Sequence, residues 1–304
     1  MSYNLFTIVL QFLTAFPMQI NQIIQRHSSQ LKNNSSSPIL DIELLLTKIL
    51  NKPKEFLFKY PEKNLTLKQF SKFQKLFKRR FKGEPIAYIL GHKEFYGLDF
   101  KINKNVLIPR PETEILVEEA LNYIKKEKAR MIIEIGVGSG AIIIALAKNS
   151  KAQFFATDIS SKALNIAKQN AKFHKTKIKF FKGNLLAPIL QLPNSQFLIP
   201  NSLIVANLPY LDHKEENLLP SSNTIGLKFE PKIAYDGGPD GLKYFRQLFA
   251  QIQKYNLKPK AIFLEIGHKQ AQKIKNLAKQ ALPQYKFQVK KDLCGFDRVA
   301  EITK

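Results

Sequence analysis

A short polar segment, Asn207-Leu208-Pro209-Tyr210, follows the apolar run 203–206, which predicts a short buried strand. Residues at the carboxyl end of such a strand form a binding edge in an open α/β sheet. The Asn207 carbonyl and the neighbouring backbone carbonyls can accept hydrogen bonds from a planar NH2 group, and the Tyr210 ring can lie over that plane. The segment favours methyl transfer to an amide or exocyclic amine nitrogen, although Asn-x-Pro-Tyr also occurs in ordinary strand-to-turn connections.

A second candidate site is the glycine-rich loop that leaves the predicted strand 131–135 and opens a helix. After Glu134 and Ile135, its residues are Gly136, Val137, Gly138, Ser139 and Gly140. Glycines there permit strained turns and let a ligand approach the backbone closely. The second gap is one residue shorter than in the dinucleotide fingerprint, and no Gly-Lys-Ser/Thr follows as in a Walker loop. The loop therefore predicts a ligand other than a dinucleotide or a nucleoside triphosphate.

Asp158 ends the next predicted strand, where a carboxylate can accept hydrogen bonds from both hydroxyls of a ribose. Together with the glycine loop, it fits S-adenosylmethionine, which has a ribose but no pyrophosphate. Asn184 and Leu185 follow the third strand end of the same edge and are expected to border the adenine. The alternative is a tight strand–helix turn with a surface aspartate, and Asn is common in turns.

Strands and helices alternate after Pro111, which predicts a parallel, doubly wound α/β sheet. The predicted strands are 131–135, 154–157, 178–181, 203–206 and 261–266. The predicted helices are 113–125, 141–149, 163–173 and 241–255.

The first part of the chain has the pattern of a small helical domain. Thr66 with Gln69 predicts a capping box, and apolar residues repeat every three or four positions behind it. Residues 5–16 predict a further amphipathic helix, and the polar stretch 28–37 predicts a flexible connection. Short β-like pieces between Tyr88 and Ile108 predict a hairpin. The predicted divisions are a helical domain at 1–85, a hairpin linker at 86–110 and an α/β domain at 111–304.

The composition excludes several classes of protein but does not identify a binding partner. One cysteine among 304 residues excludes an internal disulfide and a cysteine-built metal site. No apolar run reaches the roughly 18 to 20 residues of a membrane span, and the five histidines are scattered. We therefore expect a cytoplasmic protein with neither a metal site nor a membrane partner. The net charge of +24 favours an anionic partner such as RNA, but thinly spread Lys also arises from compositional bias.

Several segments together resemble the release factor glutamine methyltransferases, the PrmC/HemK family. The segments are 83–88, 108–114, 134–140, Asp158, 207–210, 230–231, 237–242 and 297–299. The match runs in order from about Asp41 to the C-terminus. Segments 108–114 and 230–242 are far more specific than the glycine loop.

The resemblance implies an S-adenosylmethionine-dependent enzyme that methylates the side-chain amide nitrogen, N5, of the glutamine in the Gly-Gly-Gln motif of peptide chain release factors. It implies a Rossmann-like sheet with an antiparallel C-terminal hairpin, near 287–290 and 298–302, and a helical domain that recognises the release factor. No nucleic acid is then an obligatory partner.

The same resemblance assigns the site residues. It places Gly136–Gly140 at the methionine side of the cofactor and Asp158 at the ribose. The substrate amide is placed against Asn207, Leu208, Pro209 and Tyr210, of which Asn207, Pro209 and Tyr210 are the candidate catalytic residues. Asn207 is expected to contact both cofactor and substrate.

Two positions depart from the family pattern, and the first of them keeps another function open. The family usually has Pro where this chain has Leu208, and Asn-Leu-Pro-Tyr also looks like the motif of ribosomal RNA adenine dimethyltransferases. Glu134 is a longer version of a residue that is often Asp. The alternatives are an adenine N6 methyltransferase acting on RNA or DNA, a ribosomal-protein glutamine methyltransferase, and a non-catalytic binding protein with the same fold.

Overall fold

The computed structural model describes residues 19–193, 199–213 and 226–304. Contacts divide these residues into two compact units, one ending at Leu90 and including 226–229, and the other beginning at Gly91. The helix predicted at 5–16 lies outside the described residues.

The first unit is helical. Its helices are α1 Ile20–Gln30, α2 Pro38–Leu50, α3 Glu55–Lys59, α4 Leu67–Phe81 and α5 Ile86–Leu90. The predicted capping box opens α4: Gln69 N donates to Thr66 Oγ1 (3.2 Å), and Thr66 N donates to Gln69 Oε1 (2.9 Å). The apolar stripe behind it buries Phe73 and Phe77 in a core shared with α1 and α2.

The connection predicted to be flexible at 28–37 is an ordered part of this unit, so that prediction is wrong. Ser28 lies in the last turn of α1, and Ser35 is buried. The Ser35 hydroxyl donates to Asp41 Oδ2 (2.6 Å), which also accepts from Arg80 Nε (2.6 Å). Ser35 is therefore held in this stretch by the Asp41–Arg80 ion pair.

The second unit is built on a seven-stranded sheet in the order β5-β4-β3-β6-β7-β9-β8. Its strands are β3 Met131–Ile135, β4 Gln153–Asp158, β5 Ile178–Lys182, β6 Ser202–Ala206, β7 Ala261–Glu265, β8 Lys286–Lys291 and β9 Asp297–Thr303. Strands β3 to β7 are parallel, and β9 runs antiparallel to both of its neighbours. The predicted doubly wound sheet and its antiparallel C-terminal strands are confirmed.

The helices of this unit cover the sheet. They are α6 Glu114–Glu127, α7 Ala141–Asn149, α8 Ser161–Phe173, α9 Ala187–Leu190, α10 Lys243–Lys254 and α11 Ala271–Ala281. Short 3₁₀ turns span Pro111–Thr113, Ile199–Asn201 and Lys232–Ala234. Helix α11 was not predicted, although Ile274, Leu277 and Ala278 have helical spacing and pack in the core.

The order of the strands reverses at β3, which pairs with β4 on one side and with β6 on the other. Loops that leave such a switch point diverge and open a crevice at the carboxyl ends of the strands. The predicted glycine loop follows β3, and Asn207 follows β6, so the two candidate sites meet at this crevice.

The hairpin joins strands β1 His92–Phe95 and β2 Leu98–Lys101 and belongs to the second unit. Asn170 in α8 binds both backbone groups of Lys101, at 2.9 and 3.0 Å. The contact boundary at Leu90/Gly91 thus differs from the predicted divisions after residues 85 and 110. Residues 88–90, predicted to be β-like, complete a helical turn that begins at Pro85, whose carbonyl accepts from Tyr88 N (3.0 Å).

Within the described ranges, no helix is long and apolar enough to cross a membrane.

Candidate active site

One cavity of the second unit is lined by most of the predicted site residues. Its wall includes Gly136, Val137, Gly138, Ser139, Asp158, Asn184, Leu185, Asn207, Leu208 and Pro209. Gly140 and Tyr210 do not line it. Because Ile135 of β3 pairs with Ala206 of β6, the glycine loop and the Asn207 segment begin side by side. The sheet register therefore brings together two loops that are far apart in the sequence.

The glycine loop takes backbone conformations that favour glycine. Gly136 (φ +74°), Gly138 (φ +52°) and Gly140 (φ +85°) are all left-handed. Gly138 lines the cavity, and a Cβ there would meet no atom within 4 Å. A Cβ at Gly140 would lie 2.9 Å from Ile144 Cδ1 and 3.3 Å from Ala167 Cβ. Gly140 thus allows α7 and α8 to pack closely, whereas Gly138 is not constrained by a packing neighbour.

Asp158 holds the glycine loop in place. Its Oδ2 accepts from Gly138 N (2.9 Å) and its Oδ1 from Ser160 N (2.8 Å). Burial raises the pKa of the carboxyl, and these backbone N–H groups oppose the shift. Each oxygen has a further lone pair, so the carboxylate can also accept from hydroxyls in the cavity.

Glu134 is a second buried carboxyl at this edge. Its Oε2 accepts from Ile143 N (2.9 Å) in the first turn of α7. Burial raises the pKa of Glu134 well above its usual value. The longer side chain reaches the helix terminus and joins β3 to α7.

The loop after β5 supplies the wall at Asn184 and Leu185. Leu185 has a left-handed backbone (φ +51°), and its carbonyl accepts from Thr157 Oγ1 (2.8 Å). The next residue, Leu186, donates its N–H to Gln251 Oε1 (3.0 Å). Contacts from β4 and α10 therefore fix this loop at the cavity.

Asn207 is held by two acceptors on its amide nitrogen. Nδ2 donates to Glu265 Oε2 (2.8 Å) and to Thr113 Oγ1 (3.2 Å). Within the described part of the chain, its Oδ1 accepts no hydrogen bond. Since Asn207 lines the cavity, Oδ1 is the atom of this amide that remains to accept an N–H donor there.

Tyr210 contacts the same carboxylate as Asn207. Its hydroxyl donates to Glu265 Oε1 (3.2 Å). Burial and the neighbouring Glu265 raise the pKa of Tyr210 far above its usual value, so it is a neutral donor. Tyr210 is not among the residues that line the cavity. The stacking of its ring on a substrate amide stays a prediction.

Residues 237–241 support the Asn207 segment from the other side. Gln270 Nε2 donates to the Tyr210 carbonyl (2.8 Å). A Cβ at Gly237 would lie 2.8 Å from the Pro209 carbonyl oxygen, and one at Gly241 would overlap the Tyr210 carbonyl oxygen. The absence of side chains at these glycines thus permits close backbone packing.

The buried carboxylate of Glu230 binds the segment that leads to Thr113. Glu230 accepts from Arg110 Nη2 through Oε1 and from Ile108 N through Oε2 (3.0 Å).

Leu208 is buried, with 2% of its surface exposed, and packs in the main core.

The roles of Thr113 and Glu265 were missed by the sequence reasoning. Glu265 ends the buried strand β7, as Asp158 ends β4. A polar residue at the carboxyl end of an apolar strand was the signal that could have found it. Its partners were not predictable, because they depend on which strand lies next to β7.

Both parts of the chain match known protein families. Residues 22–91 match the family described as PrmC N-terminal domain, and residues 132–218 match the family described as Methyltransferase domain. The chain is 38% identical over 284 residues to the release factor glutamine methyltransferase of Coxiella burnetii, covering 93% of this chain and 98% of that protein. It is 39% identical over 272 residues to the enzyme of the same name from Dictyoglomus turgidum, covering 88% and 92%.

Among solved structures, the fold resembles the human METTL16 catalytic domain in complex with an RNA hairpin. The TM-score is 0.54 at 16% identity, over 68% of this chain and 76% of that one.

Proposed function

This chain belongs to the release factor glutamine methyltransferase family, a family of S-adenosylmethionine-dependent enzymes, and we propose that it methylates the side-chain amide nitrogen, N5, of the glutamine in the Gly-Gly-Gln motif of peptide chain release factors. The observation that carries the proposal is the orientation of Asn207. Both of its Nδ2 contacts are to neighbouring side chains, which leaves Oδ1 to receive the substrate amide. The proposed location is the cytoplasm.

The cavity has the features that S-adenosylmethionine requires. The side-chain-free Gly138 leaves room for a ligand against the backbone, and Asp158 supplies ribose acceptors at the same wall. Asn184 and Leu185 would border the adenine. When bound, the cofactor supplies an electrophilic methyl group on a sulfonium.

The chain's own contribution is to activate and orient a poor nucleophile. The lone pair of an amide nitrogen is delocalised into its carbonyl. Asn207 Oδ1 and a backbone carbonyl at Leu208 or Pro209 would accept the two substrate N–H bonds. These contacts would increase electron density on the nitrogen and direct it toward the methyl group. As the new N–C bond forms, the S–C bond to that methyl would break to leave a neutral thioether, and the nitrogen would lose one of its two protons to solvent. Positioning of this kind can contribute roughly 7–11 kcal/mol at best, and preorganised dipoles add to it.

The helical unit is proposed to recognise the release factor. Support comes from its match to the PrmC N-terminal domain, which covers residues 22–91. The adenine alternative rests on Leu208 and on the net positive charge, and it would require no such unit.

The test is methyl transfer to separated acceptors. Purified protein and cofactor with a radiolabelled methyl group are incubated with release factor, ribosomal proteins or RNA. We expect label in the release factor, and none when the glutamine of its Gly-Gly-Gln motif is replaced by alanine. Label in RNA would support adenine methylation instead, and label in ribosomal proteins alone would support the other glutamine substrate.

The Asn207→Ala variant tests the site itself. We expect cofactor affinity to stay within a few-fold of the wild type, because the glycine loop and Asp158 are intact. The turnover number should fall about 10²- to 10³-fold, the usual loss for one preorganised polar contact in a transition state. Calorimetric binding and single-turnover transfer measure the two effects, and unchanged turnover would refute the mechanism.

A further inference from the structure

We propose that Glu265 is a positioning residue that determines which end of the Asn207 amide faces the cavity. The inference rests on the proposed role of Asn207 as the acceptor for the substrate amide. It assigns a function to a buried carboxylate that takes no direct part in the methyl transfer.

The sheet places Glu265 beside Asn207. Ala206 of β6 pairs with Leu264 of β7, so the next residue of each strand lies at the same height at the edge. Glu265 is 1% exposed. Its two oxygens are used by two residues of the same segment: Oε2 by Asn207 Nδ2 at 2.8 Å and Oε1 by the Tyr210 hydroxyl at 3.2 Å.

The chemistry of the amide makes this contact decisive. The oxygen and nitrogen ends of a carboxamide are nearly equal in size, so shape alone does not select between its two orientations. An ionised carboxylate only accepts hydrogen bonds, and it therefore requires Nδ2 on its side. The opposite orientation would bring Asn207 Oδ1 against Glu265 Oε2 and would offer N–H groups to a substrate that itself presents N–H groups.

The surroundings of Glu265 supply several donors for an acceptor. Asn207 and Tyr210 hydrogen-bond to it, and the Thr113 hydroxyl and the Arg298 guanidinium lie near enough to favour its charged form. Burial opposes ionisation and raises the pKa of the carboxyl.

Glu134, the other buried carboxyl of the edge, shows the contrast. Its hydrogen bond goes to the backbone of Ile143, which joins a strand to a helix. Glu265 instead contacts the side chains of Asn207 and Tyr210, and it therefore orients these two side chains.

The first variant is Glu265→Gln, which keeps the size of the side chain and replaces one acceptor by a donor. We expect a loss of turnover of at least about 10²-fold, as for the loss of a preorganised polar contact. Cofactor affinity and the thermal unfolding midpoint are measured beside it, and the affinity should stay within a few-fold of the wild type. A drop in turnover together with unchanged affinity separates misorientation from collapse of the cavity.

The decisive measurement is a double-mutant cycle with Asn207. If Glu265 acts through that amide, Glu265→Gln should cost less than threefold in turnover on the Asn207→Ala background. An equal loss on both backgrounds would overturn the inference. Unchanged turnover of Glu265→Gln alone would also overturn it, while the proposed function would stand if Asn207→Ala were inactive.

A charge exchange provides a rescue that a structural role cannot produce. The Asn207→Asp variant places two carboxylates in contact and should be strongly impaired. Combined with Glu265→Gln, it again pairs a donor with an acceptor and leaves one oxygen toward the cavity. We expect the double variant to exceed each single variant at least tenfold in turnover, and failure to exceed either one would overturn the inference.

Discussion

Asp158 holds the glycine loop and is also the residue that we propose binds the ribose. It holds the glycine loop through Gly138 N and Ser160 N, and it lines the cavity where a ribose would bind. Because backbone donors use one lone pair of each oxygen, a change of side-chain chemistry affects the loop and the ligand together.

The variant Asp158→Asn should therefore weaken cofactor binding. One oxygen becomes an NH2 group that opposes a backbone N–H, and the charge that favours ribose hydroxyls is lost. Hydrogen bonds to charged groups contribute about 1.5–3 kcal/mol, so we expect a roughly 10- to 100-fold rise in the dissociation constant, measured by calorimetry. Asp99→Asn is the control, because Asp99 is an exposed carboxylate that pairs with His92 outside the cavity wall. Equal affinities for both variants would contradict the assignment.

Close packing against two other structural elements holds the Asn207 segment in position. The turn 237–241 lies against the carbonyls of Pro209 and Tyr210, and Gln270 at the start of α11 donates to the second of them. The tetrapeptide is thus held by two elements that follow it in the chain.

The variant Gly241→Ala tests this packing. Its Cβ would overlap the Tyr210 carbonyl and displace Gln270 Nε2, at a position with φ +71°. We expect a loss of stability about 1–3 kcal/mol beyond the cost of backbone strain, since a buried hydrogen bond is broken, together with a fall in turnover.

Gly97→Ala is the matched control for Gly241. Gly97 has nearly the same backbone angle, φ +69°, but no atom within 4 Å of an added Cβ. Strain alone should cost it about 1–2 kcal/mol, without loss of turnover. Chemical denaturation and transfer assays compare the two, and equal losses would show that strain explains both.

A buried histidine, His27, packs in the core of the helical unit. His27 packs edge-on against Phe73 and Phe77, with ring centroids 5.0 and 4.7 Å away. Its Nδ1 contacts the Ile23 carbonyl (3.0 Å), and its Nε2 contacts Gln74 Nε2 (3.1 Å). The carbonyl requires Nδ1–H, which makes Nε2 the acceptor from Gln74 and the ring neutral. Burial accordingly lowers the pKa of His27, and Arg26 lowers it further.

Acidification should therefore destabilise the helical unit. Below the unfolded pKa of about 6.5, the unfolded state binds a proton that the folded state does not bind until its own lower pKa is reached. Stability from this group is complete above pH 6.5 and is lost as the pH falls toward the folded pKa. After correction for the intrinsic exchange rate at each pH, the backbone amides of α1 and α4 should be less protected from hydrogen exchange at about pH 5.5 than above pH 6.5. In His27→Gln that acceleration should be reduced, and an unchanged pH dependence would exclude His27 as its cause.

Local patterns in the sequence determined the elements and their order. The predicted bounds of β3 and α7 agree with the structure because an apolar run, a glycine loop and a second apolar run mark them without help from distant residues. The capping box at Thr66 is equally local. The edge of a parallel sheet then follows, since each strand must end at the same side.

Tertiary structure alone decided which side chains meet there. The bond between Asn207 and Glu265 joins residues 58 positions apart, and it exists because β6 and β7 are neighbours in a particular register. The buried position of Ser35 likewise depends on Asp41, whose carboxylate also binds the distant Arg80. The sequence could propose Asn207 as an acceptor, but the direction of its amide is set by a carboxylate that only folding brings within hydrogen-bonding distance.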